Sequence, residues 1–437
     1  MWWKEKTGKS VFRKMRYSIG IFLIVACTFG FNGCATEEKD KGNEKQSEHA
    51  EGNIRNQIIS DSKKLAEGYR VLYEEAEKEE QLDALEFRQQ VISYLGEAGY
   101  SAVDLENQID MTHAEQVETF CRAAENKKKE EATILAVLDH GGFVRYDLTT
   151  KNGKIYARES ALNWKDNKPI VDYYHEFEVY DWKYTEKGYL FMEEYHPPGY
   201  DGATGDSGFR VKPLDPKCRE LNRHYVLPIG YELNNMLITN WDPADYTNLE
   251  LYDLYEQMYS MKYGEIFPYR GEEGAEYQIP EQSFEEVLQT YLPISPTQIR
   301  TQTIYEEQNR TYRYRPRGLY DCELPFVPYT EVVSYEELEN GELKLFVEAV
   351  WIKEKTDCAI ASELVVKLLD DGKVQYISNR VVGTEETEEE SWENAENAEN
   401  AAGSAGLKTE PAPWYTPRLT DEEWESYYGG ISDEWRE

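Results

Sequence analysis

Leu65, Tyr69, Leu72, Tyr73 and Ala76 recur three or four positions apart, and Leu82, Leu85, Val91, Ile92 and Leu95 continue that spacing. The stripe predicts helix over residues 54–95, closed by Gly96 and Gly99. Val117, Phe120 and Cys121 predict a further helix, with Thr112 as its N-cap and Glu115 as the capping-box partner. From residue 132 the period drops to two. Residues 132–138, 143–148, 155–164, 173–184 and 189–195 read as five antiparallel strands. His140-Gly141-Gly142, Lys151-Asn152-Gly153-Lys154 and Glu186-Lys187-Gly188 supply turns between them.

Residues 196–223 interrupt the pattern with Gly, Pro and Asp, and so long a loop in a compact protein is usually functional or mobile. Residues 225–231 read as a returning strand, and 237–245 as a link to a second unit. There the helical period resumes over 248–263 and 281–292, the latter opened by Pro280, with a short start at Ser295-Pro296. Strands follow over 303–314, 327–334, 343–353, 361–369 and 374–382. The expected fold class is α+β, with two units, 54–240 and 241–383, each of helices followed by an antiparallel meander. Residues 384–412 are an acidic low-complexity stretch expected to be disordered. Residues 413–437 set Trp414, Trp424, Tyr427, Tyr428 and Trp435 among acids. Docking on the body, binding a partner and staying solvated are all open to that tail.

The amino terminus has a different character. Lys4, Lys6, Lys9, Arg13, Lys14 and Arg16 precede an apolar run of 13 residues, Ile19 to Phe31, and Asn32-Gly33-Cys34 follows. A basic region, a short apolar region and a small residue before a cut are the parts of a secretory signal. Phe31-Asn32-Gly33-Cys34 resembles the lipobox of bacterial lipoproteins. The resemblance implies a diacylglycerol on the Cys34 thiol, cleavage after residue 33, and stable attachment through two acyl chains. An uncleaved signal anchor over 17–33 is the alternative, and both place the remainder outside the cytoplasmic membrane. Residues 34–53 carry no large apolar side chain and read as a disordered tether.

Charge narrows the partners. Against 84 Asp and Glu stand 48 Lys and Arg, a net −36, and loss of residues 1–33 would take it to −41. Such a chain repels phosphate backbones, so nucleic acid is not an expected partner. Beyond Cys27 and Cys34, the cysteines are Cys121, Cys218, Cys322 and Cys358, with no C-x-x-C spacing. Four cysteines allow three disulfide pairings, but units this large do not need staples. They are expected as small buried apolar residues.

Candidate chemistry is thin. Gly205-Asp206-Ser207-Gly208 matches the tetrapeptide around the nucleophile of trypsin-like serine proteases, without that family's histidine setting. Asp201 to Asp206 spaces carboxylates around glycines, but Ala203 and Gly205 occupy positions where an EF-hand needs ligands. His175-Glu176 falls in a strand, where neighbours point to opposite faces. Among so many acids no catalytic carboxylate pair stands out. No catalytic, metal or cofactor residues are assigned; the one site residue is Cys34, as lipid anchor. The 34 tyrosines suit core packing first and a binding face second. The part after the signal resembles large uncharacterised lipoproteins of Gram-positive anaerobes. The expectation is a membrane-anchored, extracytoplasmic binding or assembly module with a protein or glycan ligand. A surface hydrolase or carbohydrate-active enzyme with an acidic site is the alternative.

Overall fold

The computed structural model describes residues 41–200, 204–270, 274–322, 326–369, 373–382 and 412–429. The signal region, Cys34, most of the acidic stretch, Ile431 and Trp435 lie outside them. The chain divides between Pro213 and Leu214, inside the irregular segment and not at residue 240. Cys218, Leu221, Val226, Ile229 and Met236 share one core with the helices and strands that follow them. Packing, more than the composition shift, sets the boundary.

The N-terminal unit begins with helices α1 (Lys41–Gly68), α2 (Arg70–Lys78) and α3 (Leu85–Glu97). Helix α1 starts inside the stretch expected to be an unstructured tether. Residues 41–53 hold three Glu and two Lys, which favour helix without an apolar stripe. Strand β1 (Ser101–Asp104) and helix α4 (Ala114–Glu125) follow. Thr112 does not cap α4. Its hydroxyl accepts from the Ala102 amide and donates to the Tyr100 carbonyl, both at 2.9 Å, and left-handed His113 (φ 49°) precedes the first turn.

Six strands complete the sheet: β2 (Glu130–Val137), β3 (Phe143–Lys151), β4 (Lys154–Lys165), β5 (Lys168–Tyr184), β6 (Tyr189–Glu194) and β7 (Asp206–Arg210). They lie in sequence order, β1 parallel to β2 and each later pair antiparallel. One face packs Tyr69, Tyr73, Phe87 and Val91 against Leu135, Phe143 and Leu162. The other packs Val117, Phe120 and Cys121 of α4 with Ile134, Val144 and Tyr146. Asn152 and Gly153 turn β3 into β4 in left-handed conformations (φ 54° and 80°), as the Asn-Gly signal predicts. Asp166 and Asn167 (φ 49° and 57°) make a second such turn without glycine, so β5 starts five residues earlier than its alternation indicates.

The C-terminal unit opens with α5 (Pro216–Leu221), capped by Asp215, whose carboxylate accepts from the Lys217 and Cys218 amides. A single π-type turn (Asn222–Val226) continues it where a strand was expected. Then come α6 (Leu251–Tyr263), β8 (Tyr277–Pro280), α7 (Glu281–Tyr291), α8 (Pro296–Gln302), β9 (Tyr305–Glu306) and β10 (Thr311–Tyr314). Strands β8, β10 and β9 form a small sheet. Strands β11 (Tyr329–Glu337), β12 (Glu342–Val350), β13 (Ala361–Leu368) and β14 (Val374–Val382) form an antiparallel meander. Most tyrosines here are core: Tyr255, Tyr312, Tyr314 and Tyr376 are fully buried, and Tyr255 meets Phe267 edge-on at 5.5 Å.

Residues 412–418 and α9 (Asp421–Tyr428) dock on this unit. Trp414, 1% exposed, packs edge-on to Tyr231 at 5.8 Å and to Trp351 at 4.9 Å. The buried Asp253 carboxylate accepts from Arg317 at 2.6 and 2.9 Å, from Arg418 at 2.6 Å and from the Tyr415 hydroxyl at 3.1 Å. Arg418 also pairs with Glu256 and donates to the Arg315 carbonyl at 2.6 Å. Arg315 lies over the Trp424 ring at 3.8 Å, and Arg313 and Arg315 both reach Asp421 at 2.8 Å.

Removing one partner of a buried ion network leaves the others uncompensated, at about 3–5 kcal/mol. Asp253→Asn is therefore expected to lower the unfolding free energy of the C-terminal unit by about 3 kcal/mol in denaturant titrations. Asp421→Asn, on the exposed rim, should cost no more than about 1 kcal/mol. Equal effects would contradict the central place of Asp253.

Candidate functional site

Strand β5 is 17 residues long and carries two bulges. Ala161 pairs with Tyr173 and Leu162 with Val171, so Asp172 is the extra residue of the first. Val179 pairs with Glu194 and Asp181 with Glu193, so Tyr180 is the extra residue of the second. Bulges re-aim side chains and are common beside functional sites. Between these two, the register places Tyr146, Glu159 and His175 in one row across β3, β4 and β5. Directly opposed side chains on one face are within contact reach.

Glu194 of β6 joins the row. His175 Nε2 lies 2.7 Å from Glu194 Oε1, with His175 half-open to solvent and Glu194 largely covered. Burial raises the Glu159 carboxyl, and negative charge on Glu194 adds to it. Nearby His175 opposes the rise, and the value settles at about 7. Tyr173 is pushed up to about 12, first by burial, then by the charges of Glu159 and Glu194.

The segment after β6 closes round the same place. His196 and Tyr200 stack with ring centroids 4.0 Å apart. His196 Nε2 is enclosed and has no hydrogen-bond partner among the described residues. Gly205 (φ +72°) makes the approach possible: a Cβ there would stand 2.7 Å from His196 Nε2 and 2.9 Å from Glu194 Cβ. Tyr173 and Tyr200 stay 40% and 49% exposed, which leaves the cluster open to a ligand.

Ser207 stands on β7, its hydroxyl bonded to the Tyr146 phenol. Burial holds that phenol far above its ordinary value, so it offers no base to activate the serine. His175 and Glu176 point to opposite faces, His175 to Glu194 and Glu176 to Arg158 at 3.3 Å. Among the described residues, no group of three or more His, Cys, Asp or Glu side chains could hold a metal ion, and no helix is long and apolar enough to cross a membrane. No disulfide joins Cys121, Cys218, Cys322 and Cys358. Cys121 and Cys218 are buried as expected, whereas Cys322 is exposed and Cys358 partly exposed, a correction to the all-buried expectation. Glu159 and Glu194 could not be chosen from sequence, since only their register against His175 separates them from the other acids.

Fold and site define an α+β protein with antiparallel sheets and a solvent-accessible carboxylate–histidine–tyrosine cluster on one of them. The chain belongs to the family of unknown function DUF6070, whose model matches residues 55–395. No curated protein and no solved structure matches it.

A carboxyl with a folded value near 7 against an ordinary 4.5 holds a proton that the unfolded chain has lost across that interval. Its contribution to stability therefore falls as pH rises from about 4.5 to 7. Thermal scans should show Glu159→Gln gaining melting temperature relative to wild type between pH 5 and pH 8. Parallel curves would remove Glu159 as the titrating group.

Proposed function

We propose that this protein is a lipid-anchored, extracytoplasmic binding module, held to the membrane through Cys34 and presenting the β4–β6 cluster to a protein or glycan ligand. One observation supports the ligand face above the rest: Tyr173, Tyr200 and His175 are accessible beside the largely covered carboxyls of Glu159 and Glu194. Tyrosine rings give rigid, amphipathic contact area at low entropic cost, and the carboxylates fix orientation. The acidic net charge disfavours nucleic acid as partner. Two units on one helices-then-meander plan belong to the same reading.

A second reading, a surface hydrolase, draws on the Glu159 carboxyl near neutrality beside Glu194, since a protonated and an ionised carboxyl can share acid and base roles. In it Glu159 would be the general acid.

Palmitate should label the wild-type protein and not Cys34→Ser; equal label in both ends the anchored reading. An array of oligosaccharides and synthetic peptides should give ligands whose signal falls at least tenfold in the Tyr173→Ala, Tyr200→Ala double variant. Turnover of aryl glycosides that Glu159→Gln abolishes would instead favour the hydrolase.

A further inference from the structure

We infer that the recess on the C-terminal unit that seats residues 412–428 is a peptide-docking site that also receives this segment from a second copy of the chain, so that two copies exchange tails. The chain's own tail shows the chemistry of the occupant, and a second copy carries the same residues. Helix α9 lies in its seat as an amphipathic helix lies in a recognition groove, through side chains one turn apart. Trp424 and Tyr428, four apart, are 7% and 2% exposed. Arg315 covers Trp424, and Tyr428 meets Tyr320 edge-on at 5.7 Å. Tyr428 also needs Gly274, where a Cβ would stand 3.2 Å from the ring. Asp421 and Glu425, again four apart, reach Arg315 at 2.8 and 3.4 Å, and Asp421 reaches Arg313 at 2.8 Å. Glu276, 2.9 Å from Arg315, is the acid of the seat itself. Trp414 and Arg418 add deeper anchors ahead of the helix. In a chain of net charge −36, this arginine stripe selects an acidic, aromatic segment, which the tail is.

Chain continuity does not oblige the tail to dock on its own copy. Val382, the last residue of β14, pairs with Ala361, and Ala361 with Glu348. Three residues after Glu348 comes Trp351, whose ring meets Trp414 at 4.9 Å. At about 4.8 Å between strands and about 3.3 Å per residue, the join from Val382 to Trp414 covers roughly 20 Å. Residues 383–413 can extend to ~100 Å at about 3.3 Å per residue. A link so much longer than its span lowers the effective concentration of the tail at its own seat and brings a neighbour's seat within reach. Both forms make the same contacts, Arg418 with Asp253 included, so exchange of this element is a low-cost route to a dimer. Asp421 and Glu425 keep 58% and 61% of their side chains exposed, so α9 lifts from the rim without opening the core.

The test takes the full chain with a protease site placed within residues 393–402. After cleavage, an excess of labelled peptide 408–437 should replace the cut tail, read by fluorescence anisotropy. Trp424→Ala and Arg418→Ala in the peptide should each weaken its uptake at least tenfold. A cut tail that no excess of peptide displaces, or uptake that ignores both substitutions, overturns the docking site. Sedimentation of the uncut chain should show a dimer fraction that rises with concentration. Trp414→Ala should weaken that dimer at least tenfold, and Asp421→Arg with Trp424→Ala reads the same seat from its rim if Trp414→Ala does not fold. A chain that stays monomeric at every concentration overturns the exchange, and so does a dimer that both tail variants leave intact.

Discussion

A carboxylate taken out of water has to be met by positive charge, or it takes a proton. This chain has far more acids than bases, so the distribution of its cations decides what each buried acid becomes. Asp253 is met by two guanidinium groups and a phenol, and the C-terminal unit closes round it. Asp104, also fully covered, lies 3.4 Å from buried Arg88, which meets Glu106 at 2.8 Å. Glu159 is treated differently. It faces one imidazole and a second carboxylate, and it sits where solvent can reach. Asp253 is met inside the fold by its cations, whereas burial raises Asp104 in spite of Arg88. The third acid, Glu159, keeps its proton into the neutral range, because burial and the Glu194 charge outweigh His175.

Backbone irregularity sets the contrast in the N-terminal unit. The bulge at Asp172 lets one strand keep Val171 with the α1–α3 core and turn Tyr173 to the opposite face, with His175 two residues on. The bulge at Tyr180 ends that stretch. A regular strand would pair Leu162 with Asp172 and shift the residues beyond it to the wrong face. Gly205 completes the arrangement by letting the chain after β6 come within contact of His196, which any side chain would block.

Period-two alternation and Asn-Gly turns are strong local signals, so β2, β3, β4, β6 and the last meander were legible close to their observed limits. Strand β1 was not: four buried residues show no alternation, and its parallel partner lies some thirty positions away. Strand β7 was hidden in a glycine-rich segment, and Asp166-Asn167 turns without the glycine that would have announced it. Arg313, Arg315 and Arg317, alternating in an acidic chain, were the available sign that the acidic tail returns to the body. The Glu159 cluster had no comparable sign, because register and bulges are properties of the pairing and not of any one strand. Cys34 lies outside the described residues, and the proposal that it is acylated rests on the sequence alone.

The tail has a temporal consequence. Trp414 and Arg418 fill and neutralise the interior of a unit whose last strand ends at Val382. At about 5–20 residues per second, the ribosome reaches Arg418 roughly two to seven seconds after completing that strand. During this wait Asp253 has Arg317 but not Arg418, and the Tyr231–Trp351 surface has no cover. The C-terminal unit of a nascent chain therefore stays incompletely closed until late in its synthesis.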